Sequence, residues 1–170
     1  MSRPRSIWKK VWCCWNAEPA GEGAVPSEAE TEVSVPVGSD ADIIIARQQG
    51  RALAEKAGFS GSDLTLVATA ISEVARNIVE HARRGEVVLR MIHQGDKRGI
   101  SIVARDEGPG IDDISLAMQD GYSSGKGLGL GLPGARRLVD EFELESSVGV
   151  GTTVRMKKWL NSHRSVAKYR

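Results

Sequence analysis

The sequence has few cysteines and no long apolar run. Its two cysteines are adjacent, at Cys13 and Cys14, and such a pair suits neither a disulfide framework nor a metal site. No apolar stretch approaches the ~20 residues of a membrane-spanning helix, and the N-terminal stretch lacks the continuous apolar core of a signal peptide. These absences favour a reducing, cytoplasmic setting.

The sequence also has no large excess of positive or negative charge. Lys and Arg total 23 and Asp and Glu total 22, so no overall field attracts the chain to nucleic acid or to acidic substrates. With 170 residues, the chain is long enough for one domain with a proper core and too short for two comfortable ones. We therefore expect one domain, a tail and no nucleic-acid partner.

The N-terminal part differs in composition from the rest. Residues 16–30, "NAEPAGEGAVPSEAE", are typical of a linker or disordered arm. Ahead of them a helix would place four apolar residues on one face, beside basic residues: Trp8, Val11, Trp12 and Trp15. That pattern suits contact with a membrane surface or a partner, and a frayed terminus is the alternative. We predict an arm at 1–30, a folded domain at 31–160 and a basic tail at 161–170.

The order of patterns within the domain predicts its fold class. "TEVSVPV" alternates like a strand, which Pro36 confines to a sheet edge. Two helices follow, the first closed by Gly58 and the second capped by Ser62 or Asp63 and running to about Arg84. Two hairpins, "EVVLRMIH" with "GISIVARD" and "FELESSV" with "GTTVRMKKW", flank a glycine-rich loop and a helix. This order predicts an α+β, two-layer sandwich, with a mixed, mostly antiparallel sheet covered by helices on one face.

The stretch "GYSSGKGLGLGLPGARR", residues 121–137, is rich in glycine. A P-loop match fails because Gly127 stands where a Ser or Thr hydroxyl should be, and the G-x-G-x-x-G at Gly129 follows polar residues instead of a strand. Glycines at this density favour close approach of a bound group. Pro133 suits the first turn of a helix, whose free amides attract anions. We predict an anion-binding loop, with a flexible surface loop as the alternative.

The second predicted helix carries a polar pair. Glu73 and Asn77 lie one turn apart and away from the apolar stripe formed by Leu64, Val67, Ile71, Val74, Ile78 and Ala82. A carboxylate and a carboxamide at this spacing could together meet a hydrated Mg²⁺ or orient a hydroxyl. The alternative is that both residues decorate a solvated helix face.

Two further stretches offer polar groups at strand ends. "ARDEGPGI" presents Asp106 at a sharp turn, followed by Gly108 and Gly110. A carboxylate accepts a hydrogen bond from an exocyclic amine, which would favour adenine over guanine; an ordinary Asx turn is the alternative. "GVGTTV" places Thr152 and Thr153 at the start of the last strand, where a hydroxyl could assist the same base or simply belong to a hairpin.

Together, these stretches resemble a known family. "EVARNIVEH", "DEGPGI", "GKGLGLGL" and "GTT" resemble, in this order, the N box and the three glycine boxes of the GHKL ATP-binding superfamily, the fold of DNA gyrase, histidine kinases and MutL. The similarity covers nearly all of residues 31–160. Two stretches, "ARQQGRALAEKAGF" and "DGYSSGKGLGLGLPGARRLVDEFELESSVGVGTTVRMKKW", are similar to the RsbT branch, the switch kinases of the bacterial stressosome. The nearest relatives of that branch are the RsbW and SpoIIAB anti-sigma kinases.

The resemblance assigns roles to individual residues. It implies that Glu73 activates the attacking hydroxyl and that Asn77 binds Mg²⁺. It implies that Asp106 reads adenine, that Gly108 and Gly110 let the base lie close, and that the Thr153 hydroxyl is near the base. Lys126 could reach a phosphate. The implied phosphate cradle comprises Gly125, Lys126, Gly127, Leu128, Gly129, Leu130 and Gly131.

The resemblance also implies an activity. It predicts a cytoplasmic serine/threonine-protein kinase that uses ATP and Mg²⁺ to phosphorylate a STAS-domain antagonist of the RsbS or RsbR kind. Once released, the kinase would activate a PP2C-type phosphatase resembling RsbU. Two alternatives remain: an anti-sigma-factor kinase, and a binding module that holds ATP without catalysis. A carboxylate at Glu73 favours an enzyme, and the C-terminal stretch favours the RsbT branch. The arm before Thr31 is longer than the family's compact domain needs.

Overall fold

The computed structural model describes residues 32–119 and 131–160. Five strands form one sheet: β1 (Glu32–Val37), β2 (Gly85–Gln94), β3 (Lys97–Asp106), β4 (Glu141–Ser147) and β5 (Gly151–Trp159). Their order is β1-β2-β3-β5-β4, and every neighbouring pair is antiparallel. The predicted α+β sandwich is confirmed, although the described sheet is wholly antiparallel. The predicted arm, tail and most of the glycine-rich loop lie outside the described residues.

Helices cover one face of the sheet. α1 (Asp40–Ala57) and α2 (Ser62–Asn77) pack on it, and α2 continues into a π-helical turn, Ile78–Ala82. α3 (Ile114–Ala117) is a single turn after β3, and α4 (Gly131–Leu138) packs against α2. The one-turn α3 is not anticipated by the sequence patterns. It is capped by Asp113, whose Oδ1 accepts a hydrogen bond from the Leu116 N–H over 3.0 Å.

Local signals explain most element ends. β1 lies at the sheet edge, as expected from Pro36, which lacks an N–H for a second neighbour. Gly58 closes α1 with φ of 102° and donates its N–H to the Ala54 and Glu55 carbonyls. The predicted side-chain cap of α2 is wrong, because Gly61, with φ of 57°, occupies the cap position and no side chain caps the helix. The left-handed backbone there favours glycine over a hydroxyl residue.

The core lies between the helices and one face of the sheet. The predicted stripe on α2 is buried from Leu64 to Ile78, whereas Ala82 is partly exposed. Alternate strand residues meet this stripe, among them Val87, Leu89, Ile100, Ile102, Ala104, Val154 and Met156. Because side chains alternate along a strand, the intervening residues point to the opposite face, which no helix of the described residues covers.

Candidate functional site

Asp106 ends β3 with its carboxylate held in place by backbone groups. Its Oδ1 accepts hydrogen bonds from the Gly108 N–H at 2.8 Å and from the Thr152 N–H at 3.3 Å. Burial raises the pKa of the Asp106 carboxyl, while these two N–H groups and nearby His81 act in the opposite sense. Both bonds use the same oxygen, so among residues 32–119 and 131–160 Oδ2 is left to accept a hydrogen bond from a bound group.

The glycines around Asp106 are required by packing within the protein. A Cβ on Gly108 would lie 2.5 Å from the Ala82 Cβ, and one on Gly110, whose φ is 76°, would lie 2.2 Å from the Ser147 carbonyl oxygen. The loop after Asp106 is thereby clamped between the π-helical turn and the β4–β5 hairpin. Intramolecular contacts therefore require glycine at both positions. That the two glycines also let a base lie close, as the resemblance implies, stays a prediction.

The register of β5 decides which threonine accompanies Asp106. Thr152 pairs with Asp106, and Thr153 pairs with Arg105. Val154 faces the core, so strand alternation places Thr152 on that same face and Thr153 on the other. The register thus places Thr152 on the same face as the Asp106 carboxylate, whereas Thr153 lines a cavity that Asp106 also borders. The spacing to Val154 was the sequence signal that could have revealed this.

Ser146 connects the segments behind Asp106. Its Oγ accepts a hydrogen bond from the Ile111 N–H at 2.8 Å, lies 3.1 Å from the Gly151 carbonyl oxygen, and lies 2.9 Å from the Thr152 Oγ1. The sequence patterns did not single out this residue. One hydroxyl therefore joins the loop after β3 to the first residues of β5.

Glu73 is a buried carboxylate on α2. It is only 9% exposed, and its Oε2 accepts a hydrogen bond from the Gly131 N–H over 2.8 Å. A solvated helix face is therefore excluded for Glu73. Its burial results from α4, which packs across α2 and begins at Gly131.

Asn77 lies one turn beyond Glu73 and is partly exposed. Its Nδ2 is buried and has no hydrogen-bond partner among the described residues. A buried N–H group without a partner costs free energy, and native proteins seldom leave one unsatisfied. Asn77 therefore has an amide N–H group that a bound hydrogen-bond acceptor could satisfy, one turn from the buried Glu73 carboxylate.

Only one residue of the predicted phosphate cradle is described. Gly131 starts α4 with φ of 60°, and its N–H is already used by Glu73. The other predicted members lie outside the described residues: Gly125, Lys126, Gly127, Leu128, Gly129 and Leu130. Their role in phosphate binding stays a prediction.

A cavity of about 610 Å³ lies at the same end of the sheet but opens on the other face. Its walls include Pro36, Glu86, Arg105 and Thr153, whose side chains alternate along their strands with those of the core. Asp106 also lines it, as does Ala82 of the π-helical turn. Glu86 and Arg105 form an ion pair there. The cavity is therefore bordered by both Asp106 and Thr153.

Comparison with known proteins identifies the family. Residues 39–158 match the histidine kinase-like ATPase domain. The chain belongs to this family. It is 48% identical over 119 residues to the serine/threonine-protein kinase RsbT of Bacillus subtilis (strain 168), a match covering 70% of this chain and 90% of RsbT. It is 34% identical over 104 residues to the anti-sigma F factor of Thermoanaerobacter sp. (strain X514), covering 58% and 71% of the two chains.

A solved structure supports the fold. The RsbU and RsbW domains of a Mycobacterium tuberculosis protein superpose with a TM-score of 0.51 at 22% identity, covering 75% of this chain and 32% of that one. At this identity the likeness concerns the fold alone. No helix of the described residues is long and apolar enough to cross a membrane. The predicted resemblance to the GHKL superfamily and its RsbT branch is confirmed, as is the predicted enzyme class, a serine/threonine-protein kinase that uses ATP.

Proposed function

We propose that this chain is the Mg²⁺-dependent kinase of a cytoplasmic partner-switching module. It phosphorylates a Ser or Thr of a STAS-domain antagonist and, when released from it, activates a PP2C-type phosphatase. The observation that carries the proposal is the buried Glu73 carboxylate, held by Gly131 and one turn from Asn77. The 48% identity of the chain to RsbT also supports the proposal.

The described residues fit a nucleotide and its metal. Asp106 offers a carboxylate oxygen beyond the one that its backbone partners use, which suits the amine of adenine. Asn77 is partly exposed and has an amide oxygen, Oδ1, of the kind that Mg²⁺ prefers as a ligand. No group of three or more His, Cys, Asp or Glu within 32–119 and 131–160 forms a metal cage. Mg²⁺ commonly keeps several waters and needs few protein ligands, so we assign it one protein ligand from this region, Asn77.

Glu73 has the position of a general base. Gly131 holds one carboxylate oxygen, which fixes the orientation of the side chain and leaves Oε1 to accept the proton of an incoming hydroxyl. Burial keeps bulk water from this carboxylate. ATP, when bound, supplies the phosphoryl group. Such transfer asks the protein mainly to position groups and to neutralise charge. In this proposal Glu73, Asn77 and Asp106 position the hydroxyl, the metal and the adenine, and Mg²⁺ would neutralise the charge.

The test separates the proposed catalytic role of Glu73 from its hydrogen bond to the Gly131 N–H. Glu73→Gln keeps an oxygen for the Gly131 N–H but removes the base, so Mg-ATP and the STAS protein should still bind. Single-turnover transfer of labelled phosphate should fall by ~10²–10⁴, the usual contribution of a general base. Glu80→Gln is the matched control, because Glu80 is exposed on the continuation of the same helix. Near-normal transfer by Glu73→Gln would exclude Glu73 as the base.

A second candidate function is anti-sigma-factor kinase activity. The 34% identity to an anti-sigma F factor favours it. Co-purification of the full chain, in ATP and in ADP, with candidate STAS proteins and candidate sigma factors separates the two functions. Binding to a STAS protein without a sigma factor supports the first function, and stable capture of a sigma factor supports the second. Absence of transfer to every STAS protein that the wild type binds would favour a module that holds ATP without catalysis.

A further inference from the structure

The Ser146 hydroxyl has three neighbours, and their chemistry fixes its hydrogen bonds. The Ile111 N–H can only donate and the Gly151 carbonyl can only accept. A serine hydroxyl has one proton and two lone pairs. If its proton serves Gly151 and one lone pair serves Ile111, a single lone pair remains for Thr152. All three contacts are therefore satisfied together only when the Thr152 hydroxyl donates to Ser146.

This arrangement determines what Thr152 presents to the site. Its proton is used behind the site, so only lone pairs of its oxygen are left to face a bound molecule. Asp106 is held in the same way, since Gly108 and Thr152 use its Oδ1 and leave Oδ2. Asp106 and Thr152 are both partly exposed and pair across β3 and β5. The two side chains therefore offer hydrogen-bond acceptors and no donor.

We infer that Ser146 is a positioning residue that sets the base specificity of this site through Thr152. By fixing the direction of the Thr152 hydroxyl, it makes the subsite complementary to an amine and unfavourable to a carbonyl oxygen. A site that hydrogen-bonds one group rejects the analogue that leaves its polar groups unpaired. The inference rests on the proposed nucleotide site at Asp106, and it assigns Ser146 no contact with the nucleotide.

The probe is inosine triphosphate, in which a carbonyl oxygen replaces the amine of ATP. Calorimetry of the full chain gives the ratio of the two dissociation constants. In Ser146→Ala the Thr152 hydroxyl is free to turn and donate to the carbonyl oxygen, so the preference for ATP should fall by about tenfold, the scale of one neutral hydrogen bond. Ser146→Thr restores a hydroxyl on a residue that suits a strand and should restore the preference. Ser147→Ala, on the neighbouring exposed residue, should leave it unchanged.

A second variant acts on the same hydroxyl without touching Ser146. Thr152→Val should also lower the preference for ATP, and adding Ser146→Ala to it should cause no further change. An equal loss of affinity for both nucleotides in Ser146→Ala, with the preference intact, would show a merely structural role and overturn the inference. Failure of the wild type to bind either nucleotide would instead overturn the proposed function. Thermal melts without nucleotide distinguish a misfolded variant, in which case Thr152→Val decides alone.

Discussion

The Gly131 N–H donates a hydrogen bond to the Glu73 Oε2 over 2.8 Å, across 58 positions of sequence. The bond joins α2 to the first residue of α4, the helix that follows the glycine-rich loop. The proposed base is therefore also a structural contact of the segment where phosphate binding is predicted. Truncating Glu73 removes both the proposed base and the acceptor of the Gly131 N–H. A variant that removes only one of them is therefore needed.

Glu73→Ala should destabilise the protein more than Glu73→Gln does. Alanine leaves the Gly131 N–H without its acceptor and opens a space beneath α4, whereas glutamine keeps an oxygen in place. An unsatisfied buried donor costs about 1–3 kcal/mol, so the free energy of unfolding should differ between the two variants by an amount of this order. Urea denaturation without nucleotide measures it. Equal stabilities would mean that the Gly131 contact contributes nothing.

Local sequence signals predicted the elements better than the site. Pro36 and Gly58 act through their own backbone restrictions, so one residue was enough to place a strand edge or a helix end. The burial of Glu73 could not be predicted in this way, because it depends on α4 packing across α2. Helical spacing identified the polar pair Glu73 and Asn77, and the resemblance assigned their roles, but neither predicted the surroundings of the pair.

The threonine pair shows why a short motif is not enough to choose between neighbouring residues. Matching the short "GTT" stretch selected Thr153, whereas the alternation that buries Val154 and Met156 selects Thr152. The alternation can be read from the sequence, but only the register of β5 against β3 shows that it places Thr152 opposite Asp106. Ser146 belongs to no motif that the sequence analysis identified. Its hydroxyl matters because it hydrogen-bonds with Ile111 in the loop after β3 and with Gly151 and Thr152 in β5.

Asn77→Ala should remove the Mg²⁺-dependent part of ATP affinity. The proposed metal contact is lost, while the fold keeps its core because Asn77 makes no hydrogen bond through Nδ2 within the described residues. ATP titrations with Mg²⁺ and with a chelator measure the effect, and Arg76→Ala, on the preceding exposed residue, is the control. A Mg²⁺ effect as large in Asn77→Ala as in the wild type would contradict the assignment.

Gly110→Ala should be more destabilising than Gly149→Ala. Their φ angles are 76° and 75°, so both substitutions carry the same backbone strain of about 1–2 kcal/mol. A Cβ at Gly110 would also lie 2.2 Å from the Ser147 carbonyl oxygen, whereas one at Gly149 meets nothing within 4 Å. Overpacking adds about 1–3 kcal/mol, and thermal melts of the two variants give the difference. Equal destabilisation would show that the loop yields without cost.

Asp106→Asn should weaken ATP binding while preserving the loop. The amide oxygen can still accept from the Gly108 and Thr152 N–H groups, but the amide nitrogen replaces the free acceptor with a donor that faces the adenine amine. Hydrogen bonds to charged groups contribute about 1.5–3 kcal/mol, so the dissociation constant should rise by roughly 10- to 150-fold. Calorimetry with ATP measures this. Unchanged affinity would remove Asp106 from the site.

The same variant should be more stable than the wild type when no nucleotide is present. Burial raises the pKa of Asp106 above its usual 3.8, so the folded chain holds this proton more tightly than the unfolded chain does. The contribution of Asp106 to stability therefore becomes less favourable as pH rises from about 3.8 through the raised pKa, and it stays unfavourable at neutral pH. Asparagine does not titrate, so the melting temperature of Asp106→Asn minus that of the wild type should be positive near neutral pH and shrink in acid. Two outcomes would contradict this prediction: a wild type more stable than Asp106→Asn at neutral pH, or a difference in melting temperature that does not change with pH. Either would show that burying the ionised carboxylate does not lower the stability of the protein.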